Sequence, residues 1–114
     1  MSGPGRGSVL LADDEAGILK TLGRALSQEG YEVVATASAA EAQRLLADRS
    51  FDVFVVDHRM PGRTGLELIR DLAPLHEAER PQVVMMTAHA TVENAIEAMK
   101  LGAYDYLQKP FEIE

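Results

Sequence analysis

The chain has 114 residues, no cysteine and no tryptophan, and its 11 basic and 18 acidic side chains give a net charge of −7. That length fits one domain, and 46% apolar with 25% charged residues supports a packed core and excludes compositional disorder. The missing cysteines exclude disulfides, thiolate zinc sites and cysteine nucleophiles and fit a reducing, cytoplasmic setting, while acidity in both halves excludes a chain built mainly to grip phosphate backbones.

Residues 1–7 are rich in glycine and lack the apolar stretch of a signal peptide, so they read as a flexible leader. No run approaches the ~18 apolar residues of a membrane helix. Val9-Leu10-Leu11-Ala12 predicts a first strand that ends in Asp13-Asp14. Ile18, Leu19, Leu22, Ala25 and Leu26 then repeat at helical spacing, with Gly30 placed to stop the helix. The β-branched segment Glu32 to Ala37 predicts a strand, and Ser38 is positioned to cap a helix bearing Ala42, Leu45 and Leu46.

Phe51 to Val56 is the clearest strand pattern, apolar over its last four residues as if both faces were covered. Met60 to Gly65 reads as a loop, followed by a helix with Leu66, Ile69 and Leu72 that Pro74 ends or kinks. Gln82 to Thr87 predicts a fourth strand. Thr91 is placed to cap a helix bearing Val92, Ala95, Ile96 and Met99, with Gly102 at its end. Met85, Met86 and Met99 read as core filling. Tyr104 to Gln108 predicts a fifth strand, closed by Lys109-Pro110.

Strict strand–helix alternation implies a parallel sheet covered on both faces. At this length a doubly wound α/β sheet is expected and not a barrel, which takes ~250 residues. Ligands of such sheets bind at the carboxyl ends of the strands. Those ends carry Asp13 and Asp14, Asp57, Thr87 and Lys109. Converging carboxylates repel unless a cation is present, and aspartates with no soft ligand suit Mg²⁺. A threonine hydroxyl and a lysine ammonium then suit a phosphoryl group held against that metal. Each residue also has an ordinary reading. Asp14-Glu15 fits a helix N-terminus, Asp57 a turn, Thr87 a strand end and Lys109 a solvated charge. Turn statistics do not account for their joint order.

The segments Leu11-Ala12-Asp13-Asp14-Glu15, Val55-Val56-Asp57-His58-Arg59-Met60-Pro61-Gly62, Met86-Thr87-Ala88 and Tyr106-Leu107-Gln108-Lys109-Pro110-Phe111 resemble the receiver domain of bacterial two-component response regulators. The resemblance covers residues 8–114 and implies a flavodoxin-like strand order of 2-1-3-4-5. It matches Asp57 to the phosphoacceptor that takes a phosphoryl group from a sensor histidine kinase. Asp13 and Asp14 match the acidic pair at the Mg²⁺, and Arg59 the position that lends a backbone carbonyl to it. Thr87 matches the switch hydroxyl, Lys109 the phosphoryl-pairing lysine and Tyr106 the switch aromatic. Lys109-Pro110 matches a cis peptide bond. His89 lies where side chains tune the lifetime of the acyl phosphate. His58 is set aside as a nucleophile or metal ligand, since adjacent strand residues point to opposite faces.

The resemblance also implies a fifth helix after Phe111, whereas only Glu112-Ile113-Glu114 follow, under one turn at ~3.6 residues per turn. The expectation is therefore a receiver cut before or within its last helix, with apolar surface open along strands one and five, or a homodimer that covers the gap. The Arg59-to-Gly62 turn and the Lys109-to-Glu112 ending resemble receivers attached to transcriptional activators with a central ATPase. The implied function is a signalling switch that promotes its own phosphorylation and controls an output domain, with no nucleic-acid or membrane contact of its own. A stand-alone receiver acting by protein binding is the alternative. A Mg²⁺-dependent aspartyl phosphatase would need a second acid two residues after its nucleophile, where this chain has Arg59. A flavin protein would need a hydroxyl-rich loop after the first strand.

Overall fold

A computed structural model describes residues 7–72, 80–88 and 91–108. The elements run β1 (Ser8–Ala12), α1 (Ala16–Gln28), β2 (Glu32–Thr36), α2 (Ala39–Asp48), β3 (Val53–Asp57), α3 (Gly65–Arg70), β4 (Gln82–Thr87), α4 (Val92–Lys100) and β5 (Asp105–Gln108). All strand pairs are parallel and the order is β2-β1-β3-β4-β5, as the resemblance implied. The turns follow local chemistry. Ser38 and Thr91 cap α2 and α4, accepting from the amides of Glu41 and Asn94. Gly30 and Gly102 follow α1 and α4 at φ 99° and 101°, a region open to glycine.

Strand alternation splits the core into two layers. Leu10, Ala12, Phe54, Val56, Val83 and Met85 face α2, α3 and α4, and Tyr106 packs against the same layer. Val9, Leu11, Val55 and Met86 face the inner stripe of α1, made of Ile18, Leu19, Leu22 and Leu26. The first layer is deeper: among the described residues it holds sixteen of the buried core residues against four in the second.

Three expectations change. β3 runs Val53–Asp57 and not from Phe51; Phe51 is buried ahead of the ladder, and an apolar pattern alone does not separate the two. Met99 is not core filling, and Ile96 does not face the core, since each is 49% exposed. α4 turns Ala98 inward instead, where it is fully buried. Finally, β1 does not leave apolar surface open, because α1 covers Val9 and Leu11. At β5, Leu107 is 37% exposed. Pro74, His89, Lys109, Pro110 and the segment after it lie outside the described residues.

Candidate functional site

The parallel register sets the site. Ala12 pairs with Thr36 and Val56, and Asp57 pairs with Met86. Asp13, Asp57 and Thr87 therefore arrive together at the carboxyl ends of three adjacent strands. Asp13 is 0%, Asp57 6% and Thr87 1% exposed, although all three are polar. Asp14, one residue further on, is exposed. Backbone bonds extend the ladder past the strand ends: the Asp13 amide donates to Thr36 at 3.1 Å and the His58 amide to Met86 at 2.8 Å. The aspartate side chains are thus carried on rigid backbone.

Asp13, Asp14 and Asp57 each present a carboxylate oxygen within 4.8 Å of the others. Three like charges at that spacing repel strongly in a partly buried setting, and a divalent cation removes the conflict. The donor set is all carboxylate oxygen, which suits a hard ion such as Mg²⁺ or Ca²⁺ and not a thiolate- or imidazole-seeking metal. Asp13, Asp14 and Asp57 fit such an ion on donor chemistry. The ordinary reading of Asp14 as a helix cap does not hold. The N-cap of α1 is Glu15, which makes no side-chain cap bond, and Glu15 donates its amide to Asp13 Oδ1 at 2.8 Å.

The loop after Asp57 is closed by a device that the sequence reading passed over. Thr64 and Glu67 form a reciprocal capping box at the start of α3: Thr64 Oγ1 accepts from the Glu67 amide at 3.1 Å, and Glu67 Oε1 accepts from the Thr64 amide at 2.8 Å. Thr64-Gly65-Leu66-Glu67 spells that motif, so the signal was available. The Thr64 backbone bond is the chief reason that the Glu67 carboxyl sits below its ordinary pKa. Arg59 and Thr64 form an antiparallel bridge across the loop, and the Gly65 amide donates to the His58 carbonyl at 2.7 Å. The backbone of Arg59, the residue expected to lend a carbonyl, is therefore fixed, while its side chain is exposed. Arg63 ties the same loop to Asp71 at 2.7 Å.

His58 directly follows Asp57, and Tyr106 lies on β5, the strand beside β4. Burial, and then the nearby Arg59 charge, lower the His58 pKa, and its Nδ1 has no hydrogen-bond partner among the described residues. Tyr106 pairs with Met85 on β4, and its ring already packs on the core layer. Its hydroxyl is buried and makes no hydrogen bond of good geometry among the described residues, with the Thr91 backbone near it. That burial raises its pKa, with the Thr91 backbone acting the other way.

The family model described as "Response regulator receiver domain" matches residues 9–114. The alginate biosynthesis transcriptional regulatory protein AlgB of Pseudomonas aeruginosa is 40% identical over 105 residues, which is 92% of this chain and 23% of AlgB. The chain thus spans about a quarter of that relative's length. Among solved structures, a beryllofluoride-activated NtrC4 receiver domain dimer superposes with a TM-score of 0.85 at 33% identity, over 92% of this chain and 85% of that one. A response regulator protein from Burkholderia pseudomallei, solved with a phosphorylated aspartic acid, calcium ion and citrate, gives 0.83 at 31% identity, over 92% of this chain and 61% of that one. Sequence match, strand order and the acidic rim agree: the chain belongs to the receiver domains of response regulators.

Proposed function

We propose that the chain is a Mg²⁺-dependent phosphoacceptor that takes a phosphoryl group on Asp57 from a phosphohistidine of a sensor histidine kinase and passes the change to an output domain, transcriptional in kind. The observation that carries this reading is the meeting of Asp13, Asp14 and Asp57 within 4.8 Å at the sheet rim. The phosphorylated aspartic acid and calcium ion of the Burkholderia relative support it, and the regulatory name of AlgB supports the transcriptional output.

An Asp57 carboxylate oxygen attacks phosphorus, a P–O bond forms, and the P–N bond to the donor imidazole breaks with its electron pair left on nitrogen. Mg²⁺, when bound, supplies charge neutralisation to the phosphoryl oxygens. Asp13 and Asp14 hold it with Asp57 and the Arg59 backbone carbonyl. Thr87 donates its hydroxyl to a phosphoryl oxygen, and Lys109 provides a point charge beside it. The new contacts bias Thr87 and Tyr106 toward a second arrangement, a two-state population shift. His89 tunes how fast water reaches the acyl phosphate. Homodimerisation belongs to this reading, supported by the NtrC4 receiver dimer and by exposed Ile96 and Met99 on α4. The setting is the cytoplasm, and none of the described helices is long and apolar enough to cross a membrane.

Incubation with acetyl phosphate and Mg²⁺, read by intact mass, tests the acceptor. The native chain gains one phosphoryl group and Asp57→Asn gains none. Labelling of Asp57→Asn at the native rate would overturn the assignment.

A further inference from the structure

Gly65 opens α3, and its φ is not among the positive values found at Gly7, Gly30, Gly62 and Gly102. It is therefore not needed for backbone conformation. It is needed for space. A Cβ at this position would lie 2.8 Å from the Asp57 carbonyl oxygen, 3.0 Å from His58 Cα and 3.0 Å from Met85 Cε. Met85 is a flexible side chain that can yield. The other two atoms are backbone of the residue proposed to be phosphorylated and of its neighbour. That backbone is held on its other side by β4, through the His58 amide bond to Met86 at 2.8 Å. A methyl group here can be accommodated only by moving α3 away or by shifting Asp57 and the loop that carries Arg59.

We propose that Gly65 is a positioning residue for the metal site: the bare Cα lets the first turn of α3 seat against the Asp57 carbonyl and sets the loop to the strict geometry that Mg²⁺ requires. The proposal rests on the acidic rim being a divalent-cation site. Mg²⁺ demands a near-ideal octahedron and Ca²⁺ tolerates irregular, longer coordination. A displacement of a few tenths of an ångström therefore acts on the two ions unequally. Gly23 serves as the control, because a Cβ there would meet only Val33 Cγ1 at 3.9 Å and Leu11 Cδ2 at 4.0 Å, an ordinary contact.

The experiment measures Mg²⁺ and Ca²⁺ affinity by calorimetry, together with the melting temperature, for the native chain, Gly65→Ala and Gly23→Ala. Gly65→Ala is expected to lose about 10-fold or more in Mg²⁺ affinity, the scale of an outer-shell change, and at most about 3-fold in Ca²⁺ affinity, given its looser geometry. Gly23→Ala keeps both affinities. Native-like Mg²⁺ affinity in Gly65→Ala overturns the proposal, and so do equal losses for both ions, which would make Gly65 a packing residue only. Failure of the native chain to bind either ion would instead remove the metal-site reading itself. Should Gly65→Ala not fold, Thr64→Ala loosens the same loop from outside the core. It must then lower Mg²⁺ affinity more than Ca²⁺ affinity, and native Mg²⁺ binding by that variant overturns the proposal.

Discussion

At the amino ends of the strands, polar side chains face water and satisfy one another. Asp52 accepts from the Ser8 amide at 2.8 Å and from its hydroxyl at 3.3 Å. Arg49 pairs with Glu32 at 3.2 Å and lies 4.4 Å over the Phe51 ring. At the carboxyl ends the polarity is the same but the logic reverses, with like charges brought together and half-hidden from solvent at Asp13, Asp14 and Asp57. One sheet thus has an end where opposite charges pair and an end where like charges gather. The difference separates stability from function. Exposed pairs such as Arg49–Glu32 each add at most about 1 kcal/mol, whereas the rim gathers three carboxylates within 4.8 Å, where a bound cation would offset their mutual repulsion.

Substitutions at the two ends test that contrast. Asp13→Asn has the largest expected effect. At 100-fold excess over its Kd, Mg²⁺ is expected to stabilise the native chain by about 2.7 kcal/mol, and the variant to lose most of that gain in a melting experiment. At the opposite end, Asp52→Ala removes the bonds to Ser8 and costs about 1 kcal/mol. Its response to Mg²⁺ stays native, and a loss of Mg²⁺ response there would dissolve the distinction between the ends. Tyr106→Phe deletes a buried hydroxyl that makes no hydrogen bond of good geometry among the described residues. It is expected to raise stability by about 0.5 kcal/mol in denaturant titration, the relief of an unmade bond.

The smallest effect concerns pH. Glu67 is held below its ordinary value of 4.5, first by the Thr64 backbone bond. Its contribution is therefore complete above that value and is lost as pH falls through the depressed folded-state pKa. Glu67→Gln should give a shallower fall of melting temperature between about pH 5 and pH 3, where carboxylates titrate. A slope equal to the native one would count against the capping carboxylate.

Much of the fold was legible because single residues mark its joints. Ser38, Thr91, Gly30 and Gly102 each stand where the corresponding helix starts or stops. The strand order was not contained in the alternation and came through the resemblance, since hydrophobic period says nothing about which strands pair. Ile96 and Met99 misled for a related reason. Helical spacing identifies a stripe but not how near the helix lies to the sheet, and here Ala98 makes the closer contact. At the site, Asp13, Asp57 and Thr87 could be placed on strand ends from sequence. Their convergence depends on register, visible only in pairs such as Ala12 with Val56 and Asp57 with Met86. Gly65 was read as the end of a loop, because the need for an absent Cβ arises from atoms distant in sequence, among them Met85.

The pairing of β1 with β3 has a kinetic consequence. Asp13 and Asp57 stand side by side although more than forty positions separate them, with β2 and α2 threaded in between. No local fragment can assemble the pair, so the acidic cluster exists only once that crossover has closed. A cation that binds there holds on to a completed topology. If the crossover closes after the transition state, that stabilisation falls on the unfolding limb and lengthens the lifetime of the native state.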